Sequence, residues 1–138
     1  FHFIGPIPKD KQIESKKIVY HGVVQDKEKL TGLLDDGDVL VCPSHSEGMP
    51  NVILEGMSRG MAVIATDVGA VRLLVSEKVG VLLKEIDKEG LKQAILSLTR
   101  IESLQLLEMK MNSLELVRSE YKWEHISELL VKKIKEIV

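Results

Sequence analysis

Cysteine is almost absent from this sequence. Cys42 is the one thiol in 138 residues, which excludes an internal disulfide, and its place in an apolar strand pattern predicts a buried structural thiol, not a nucleophile. Long hydrophobic runs are missing too: Met61 to Ala65 and Val79 to Leu83 fall far short of the ~20 apolar residues that span a bilayer. No charged-then-apolar leader opens the chain. Neither sign of charge dominates, with 19 Lys and Arg against 21 Asp and Glu, and the basic residues are dispersed. A concentrated basic face of the kind nucleic acid requires is therefore not expected. His2, His21, His45 and His125 show no paired spacing with Cys or carboxylates, so no metal site is predicted. Ser44, His45 and Ser46 are adjacent, which gives no geometry for a nucleophilic triad. Repeats, low-complexity tracts and Pro/Gly-rich linkers are lacking as well, and the length suits one domain with a single core. These absences together fit a protein of the reducing cytosol.

What is present is an alternation of short apolar runs with helix-like stretches. Strands are predicted at Phe1–Ile4, Ile18–Tyr20, Val39–Cys42, Ala62–Ala65 and Gly80–Leu83, each apolar without alternation, as strands covered on both faces read. Lys27–Leu34, Pro50–Arg59 and a short turn at Val71–Val75 lie between them as helices. That order predicts an α/β fold with a Rossmann-like parallel sheet flanked by helices. After Leu83 the pattern turns wholly helical, over Asp87–Arg100, Leu104–Ser119 and Glu124–Ile137, giving a helical C-terminal tail. Ligands of such sheets bind at the carboxyl ends of the strands, so Pro43 to Pro50 and Thr66 to Ala70 should face one cleft.

The segment from Pro43 to Gly60 concentrates the chemistry. Pro50 suits the first helical position and Gly60 the end of that helix. At this start the unpaired N–H groups of Asn51, Val52 and Ile53 would point outward with the positive end of the helix dipole, a seat for a phosphate or diphosphate. Glu55 lies ~7 Å along the helix axis from Pro50, at ~1.5 Å per residue, and Glu47 lies before the seat. Two acceptors for hydroxyl groups thus flank one anion site, as a nucleoside diphosphate sugar would require.

These residues resemble the donor-binding signature of the group 1, family 4 retaining glycosyltransferases of GT-B architecture. The pattern runs from Glu47-Gly48-Met49-Pro50 to Glu55, then through Gly60-Met61-Ala62-Val63-Ile64-Ala65-Thr66-Asp67-Val68-Gly69. Weaker likeness extends from Phe3-Ile4-Gly5-Pro6 through Tyr20-His21-Gly22-Val23-Val24 to Trp123. The resemblance implies one half of a GT-B fold, with residues 1–138 as the C-terminal nucleotide-sugar-binding domain. It also implies that an N-terminal strand and a Gly-rich basic turn are missing before Phe1, that the acceptor domain is absent, and that the last helix crosses to that domain. The opening Phe1-His2-Phe3-Ile4, with no initiator methionine, suggests likewise a piece of something longer.

By the same resemblance, Glu47 contacts the transferred sugar and counts as the catalytic candidate. Gly48, Met49, Pro50, Asn51, Val52 and Glu55 bind the donor, with Glu55 on the ribose, and Gly22 and Val24 hold the nucleobase through backbone groups. The donor, a nucleoside diphosphate sugar, is substrate; no cofactor and no metal are expected. The full enzyme would take a glycan or lipid acceptor through the missing domain, without nucleic acid, in the cytoplasm or against the inner face of the membrane. This chain alone should not turn over. The sequence departs from the family pattern at Gly5-Pro6-Ile7-Pro8, which lacks a second glycine, and at Gly69-Ala70 and Leu73, where a second glycine and an acid are usual.

Blander readings stand beside these: an i, i+4 pair of Glu55 with Arg59, a solvated loop carboxylate at Glu47, and a structural His21. For the whole chain the alternatives are a non-catalytic Rossmann-like regulatory module, or another GT-B enzyme such as a nucleotide-sugar epimerase with His45 as its one loose acid–base candidate.

Overall fold

The structure is a computed structural model that describes residues 1–137. It divides into two compact units, Phe1–Asp36 and the part from Gly37 onward. In the first, β1 (His2–Ile4) and β2 (Val19–Gly22) pair in parallel with Phe3 opposite Tyr20, and their rings stack at 5.1 Å. A short 3-10 turn, Lys9–Lys11, lies between the strands. Helix α1 (Lys27–Asp35) starts where Asp26 accepts the Lys29 N–H at 2.9 Å, an N-cap that satisfies one orphan donor of the first turn. All three residues of β1 are exposed and β2 is at most half-buried.

The second unit holds a parallel sheet in the order β3 (Val39–Cys42), β4 (Ala62–Thr66), β5 (Gly80–Leu83), with Val63 opposite both Leu40 and Gly80. All five residues of β4 are buried, the full two-sided covering its apolar run predicts. Its side chains alternate between two clusters. Val63 and Ala65 join Ile53 and Met57 of α2 (Asn51–Ser58), Val71 and Leu74 of α3 (Val71–Leu74), and Leu116 and Val117 of α5 (Ser103–Glu120). Ile64 faces the other way, onto Leu83 and onto Ala94 and Leu98 of α4 (Lys88–Arg100). The layers of this unit are therefore helix, sheet, helix.

Gly60 stops α2 in the left-handed region, with φ of 75°, while its N–H donates to Met57 O at 3.0 Å and Met61 N–H to Gly56 O at 3.1 Å. Helix α5 is held to the sheet's lower end by Lys110 on Asp38 at 2.7 Å and by Asn112 on the Lys78 carbonyl at 3.0 Å. Helix α6 (Trp123–Ile137) packs on α5 yet buries no residue, and Leu129, Leu130, Val131 and Ile134 are all about half exposed.

Three expectations need correction. The strands are shared between two sheets where one continuous unit is predicted, because side-chain periodicity identifies strands without saying which neighbour each one pairs with. Strands β1 and β2 are not covered on both faces, whereas β3 and β5 pack against both clusters while staying partly exposed. Cys42 is half-buried, not buried, with Sγ 3.6 Å from Ser44 Oγ.

Candidate functional site

The start of α2 lies one residue later than the sequence predicts. Pro50 is the cap, in extended conformation at φ −75° and ψ 106°, and Asn51 is the first helical residue. The first turn is tight: Ile53 N–H donates to Pro50 O at 3.1 Å, an i to i−3 bond. Ile53 is thereby removed from the predicted trio of free donors, and its side chain is buried in the core. Asn51 and Val52 keep N–H groups with no hydrogen-bond partner among the described residues, no side chain caps them, and both residues are exposed.

The loop before this helix leans on the loop after β4. Gly69, at φ 54°, touches the Glu47 carbonyl so closely that a Cβ there would collide with it and would stand 2.7 Å from Gly48 O. Only glycine fits this contact. One residue on, Ala70 N–H donates to Gly48 O at 2.8 Å. The carbonyls of Glu47 and Gly48 thus both face the β4–α3 loop. The peptide bonds of the described residues are all trans, and in a trans peptide the N–H points opposite the C=O of the same unit. The Gly48 and Met49 N–H groups therefore point away from Gly69 and Ala70, and neither has a hydrogen-bond partner among the described residues.

Four backbone donors, from Gly48, Met49, Asn51 and Val52, are accordingly free along five residues that lead into the positive end of a helix. Such an arrangement suits an anion with several oxygens. Glu47 is half-buried at the foot of this run, Met49 is exposed, Pro50 is buried, and Glu55 lies exposed on the second turn of α2. As the sequence predicts, the segments after β3 and after β4 do meet.

Gly22 and Val24 belong to the first unit, where the Gly22 carbonyl accepts the Gly5 N–H at 2.8 Å. His21 is engaged with His2, Nε2 to Nδ1 at 3.1 Å, which fits its structural reading. His45 is exposed. No group of three His, Cys, Asp or Glu able to hold a metal occurs among the described residues.

Two features of the site go beyond the sequence reading. Arg72 donates to both carboxylate oxygens of Asp67, Nε to Oδ1 at 3.0 Å and a terminal nitrogen to Oδ2 at 3.1 Å. Thr66 is buried at the end of β4, and its hydroxyl has no partner among the described residues. The signal for the first was the placement of opposite charges on either side of Gly69-Ala70. For the second there was none, since a threonine ending a strand is ordinary.

The family model for glycosyl transferases group 1 matches residues 1–100. TuaC of Bacillus subtilis (strain 168), named as a glycosyltransferase of teichuronic acid biosynthesis, is 35% identical over 104 residues, covering 75% of this chain and 26% of that protein. The chain thus spans about a quarter of that relative's length. Among solved structures, sucrose-phosphate synthase from Thermosynechococcus elongatus aligns at a TM-score of 0.76 and 25% identity over 89% of this chain and 31% of its own. Anabaena HepE, solved in complex with UDP and glucose, aligns at a TM-score of 0.72 over 98% of this chain and 40% of its own, and at 18% identity it speaks for the fold alone. With the family model covering most of its length, and with parallel strands between helices as in these structures, the chain belongs to the group 1 glycosyl transferases of GT-B fold.

Proposed function

We propose that this chain is the donor-binding part of a retaining, metal-independent glycosyltransferase that moves a hexose from a nucleoside diphosphate sugar to a glycan or lipid hydroxyl. The observation that carries the reading is the run of four unpartnered N–H groups at Gly48, Met49, Asn51 and Val52, ahead of the helix dipole of α2. Backbone donors fixed by the fold need no reorganisation as negative charge collects on a departing diphosphate, which is where such donors are most effective. Glu55, on the exposed side of the helix, is the acceptor for ribose hydroxyls. Glu47, before the donors, is the acceptor for hydroxyls of the transferred sugar and carries the catalytic role. Gly22 and Val24 supply backbone contacts to the base.

The name of TuaC associates that relative with a cell-wall polysaccharide, and HepE is a neighbour seen with UDP and glucose, so a UDP-sugar donor and a polysaccharide product are the first to try. In the full protein an acceptor domain would cover the apolar side chains that α6 leaves exposed. The full protein would work at the cytoplasmic side, with peripheral attachment to the membrane. No helix among the described residues is long and apolar enough to cross a membrane.

Titration of the isotope-labelled chain with uridine, guanosine and adenosine diphosphates tests the donor site. Amide shifts are expected from Gly48 to Glu55, with weak affinity because the N–H groups supply the anion contact without charged partners. Silence of these amides toward all three nucleotides would remove the donor-site assignment.

A further inference from the structure

We propose that Asp67 and Arg72 are positioning residues of the donor site: their ion pair fixes the turn carrying Gly69 and Ala70, and that turn sets the direction of the Gly48 and Met49 N–H groups. This rests on the donor-site reading and adds the part that holds its donors in line.

The chain of contacts is continuous. Asp67 is tied to the sheet by its own N–H, which donates to Leu83 O at 2.7 Å at the end of β5. Arg72 sits on α3, a helix of four residues, too short to hold its place by its own hydrogen bonds. The bidentate pair links this short helix back to the strand end. Between the two partners lie Gly69, pressed on the Glu47 carbonyl, and Ala70, bonded to Gly48 O. Val71 and Leu74 anchor α3 in the core, and a tilt of the helix about that anchor would carry Ala70 N–H with it and release the Gly48 peptide plane to rotate.

The pair suits orientation more than stability. Arg72 is 66% exposed and Asp67 24%, so solvent screens their attraction and the fold gains little from it. Two parallel N–H···O bonds nonetheless fix the angle between the groups, which a single contact does not. Lysine could keep the charge at this position but not that geometry.

The test uses amide spectra of the labelled chain, inorganic pyrophosphate as probe, and four proteins: the parent, Arg72→Ala, Arg72→Lys and the exchanged pair Asp67→Arg/Arg72→Asp. Without ligand, Arg72→Ala should move the Gly48 and Met49 resonances and raise solvent exchange at the Ala70 amide. Pyrophosphate binding should weaken about two- to fivefold, the span of a surface ion pair, while the melting temperature barely changes. Arg72→Lys should recover only part of the loss and the exchanged pair most of it. Unchanged Ala70 exchange and unchanged Gly48 and Met49 resonances in Arg72→Ala would overturn the proposal. A uniform loss of protection with a lower melting temperature would overturn it as well, since the pair would then be merely structural. If the parent gave no pyrophosphate response at Gly48 to Val52, the donor-site reading would fall, and the ligand-free spectra would still decide whether the pair governs the Gly48 peptide.

Discussion

Glu47 and Glu55 flank the free backbone donors in sequence, and the two carboxylates should fail differently when removed. In the complete enzyme, Glu47→Ala is expected to cut transfer strongly and to leave nucleoside diphosphate affinity nearly intact, because its proposed partner is the sugar that reacts. Glu55→Ala should weaken nucleotide binding by about 1.5–3 kcal/mol where ligand shields the charged hydrogen bond from water, and by less where it does not. Paired measurements of transfer rate and nucleotide affinity separate the two. Identical behaviour would return Glu47 to a solvated loop carboxylate. Thr66 gives a second test at this scale. Its buried hydroxyl has no partner among the described residues, so Thr66→Val, which keeps the shape, should be neutral or stabilising by about 1 kcal/mol in thermal denaturation. A clear loss of stability would mean that the hydroxyl is satisfied.

The bounds of α2 were legible in the sequence because helix ends have local grammar, a proline before and a glycine after. The count of free donors was not. Whether Ile53 N–H is free depends on how tightly the first turn winds, and whether Gly48 N–H is free depends on a glycine more than twenty residues further along.

Among the elements, α5 shows most directly how packing tunes chemistry. Its C-cap Tyr121 packs against the cluster under α2 and α3 and donates its hydroxyl to Leu73 O at 3.3 Å. Burial first, and the neighbouring charge of Glu120 second, raise the phenol above its ordinary 10.0. The neutral phenol is favoured in the folded state, so its contribution is complete below the unfolded value and is lost as pH climbs through the folded one. Stability measured by denaturant titration should therefore decline above pH about 10, and Tyr121→Phe should flatten that alkaline decline. An unchanged slope would show that Tyr121 plays no part in it. Element boundaries were read to within a residue or two of their observed positions. The burial of β1 and β2 was misread, because an apolar run announces a strand and leaves open what covers it.

At the scale of the whole molecule, the donor site is only part of what transfer requires. The chain is expected to bind nucleotide and to release no UDP from UDP-glucose in the presence of acceptor lipid or glycan, because the site proposed for it holds the donor alone. Steady UDP release by this chain alone, measured by a coupled assay, would contradict that division. The layered α/β arrangement was legible from the alternation of runs. The split into two sheets was not, since parallel neighbours are joined through crossovers that leave no mark in periodicity.

The parallel register also has a consequence in time. Val39 pairs with Ala62 and Val63 with Gly80, so each ladder closes a long loop before its first bond forms, and such contacts are slow to gather. The two loops of the proposed donor site follow β3 and β4, and their contact through Gly48, Gly69 and Ala70 waits on the β3–β4 ladder. A nucleotide bound there finds its site only once that ladder has closed. It will lengthen the lifetime of the native chain without hastening its birth.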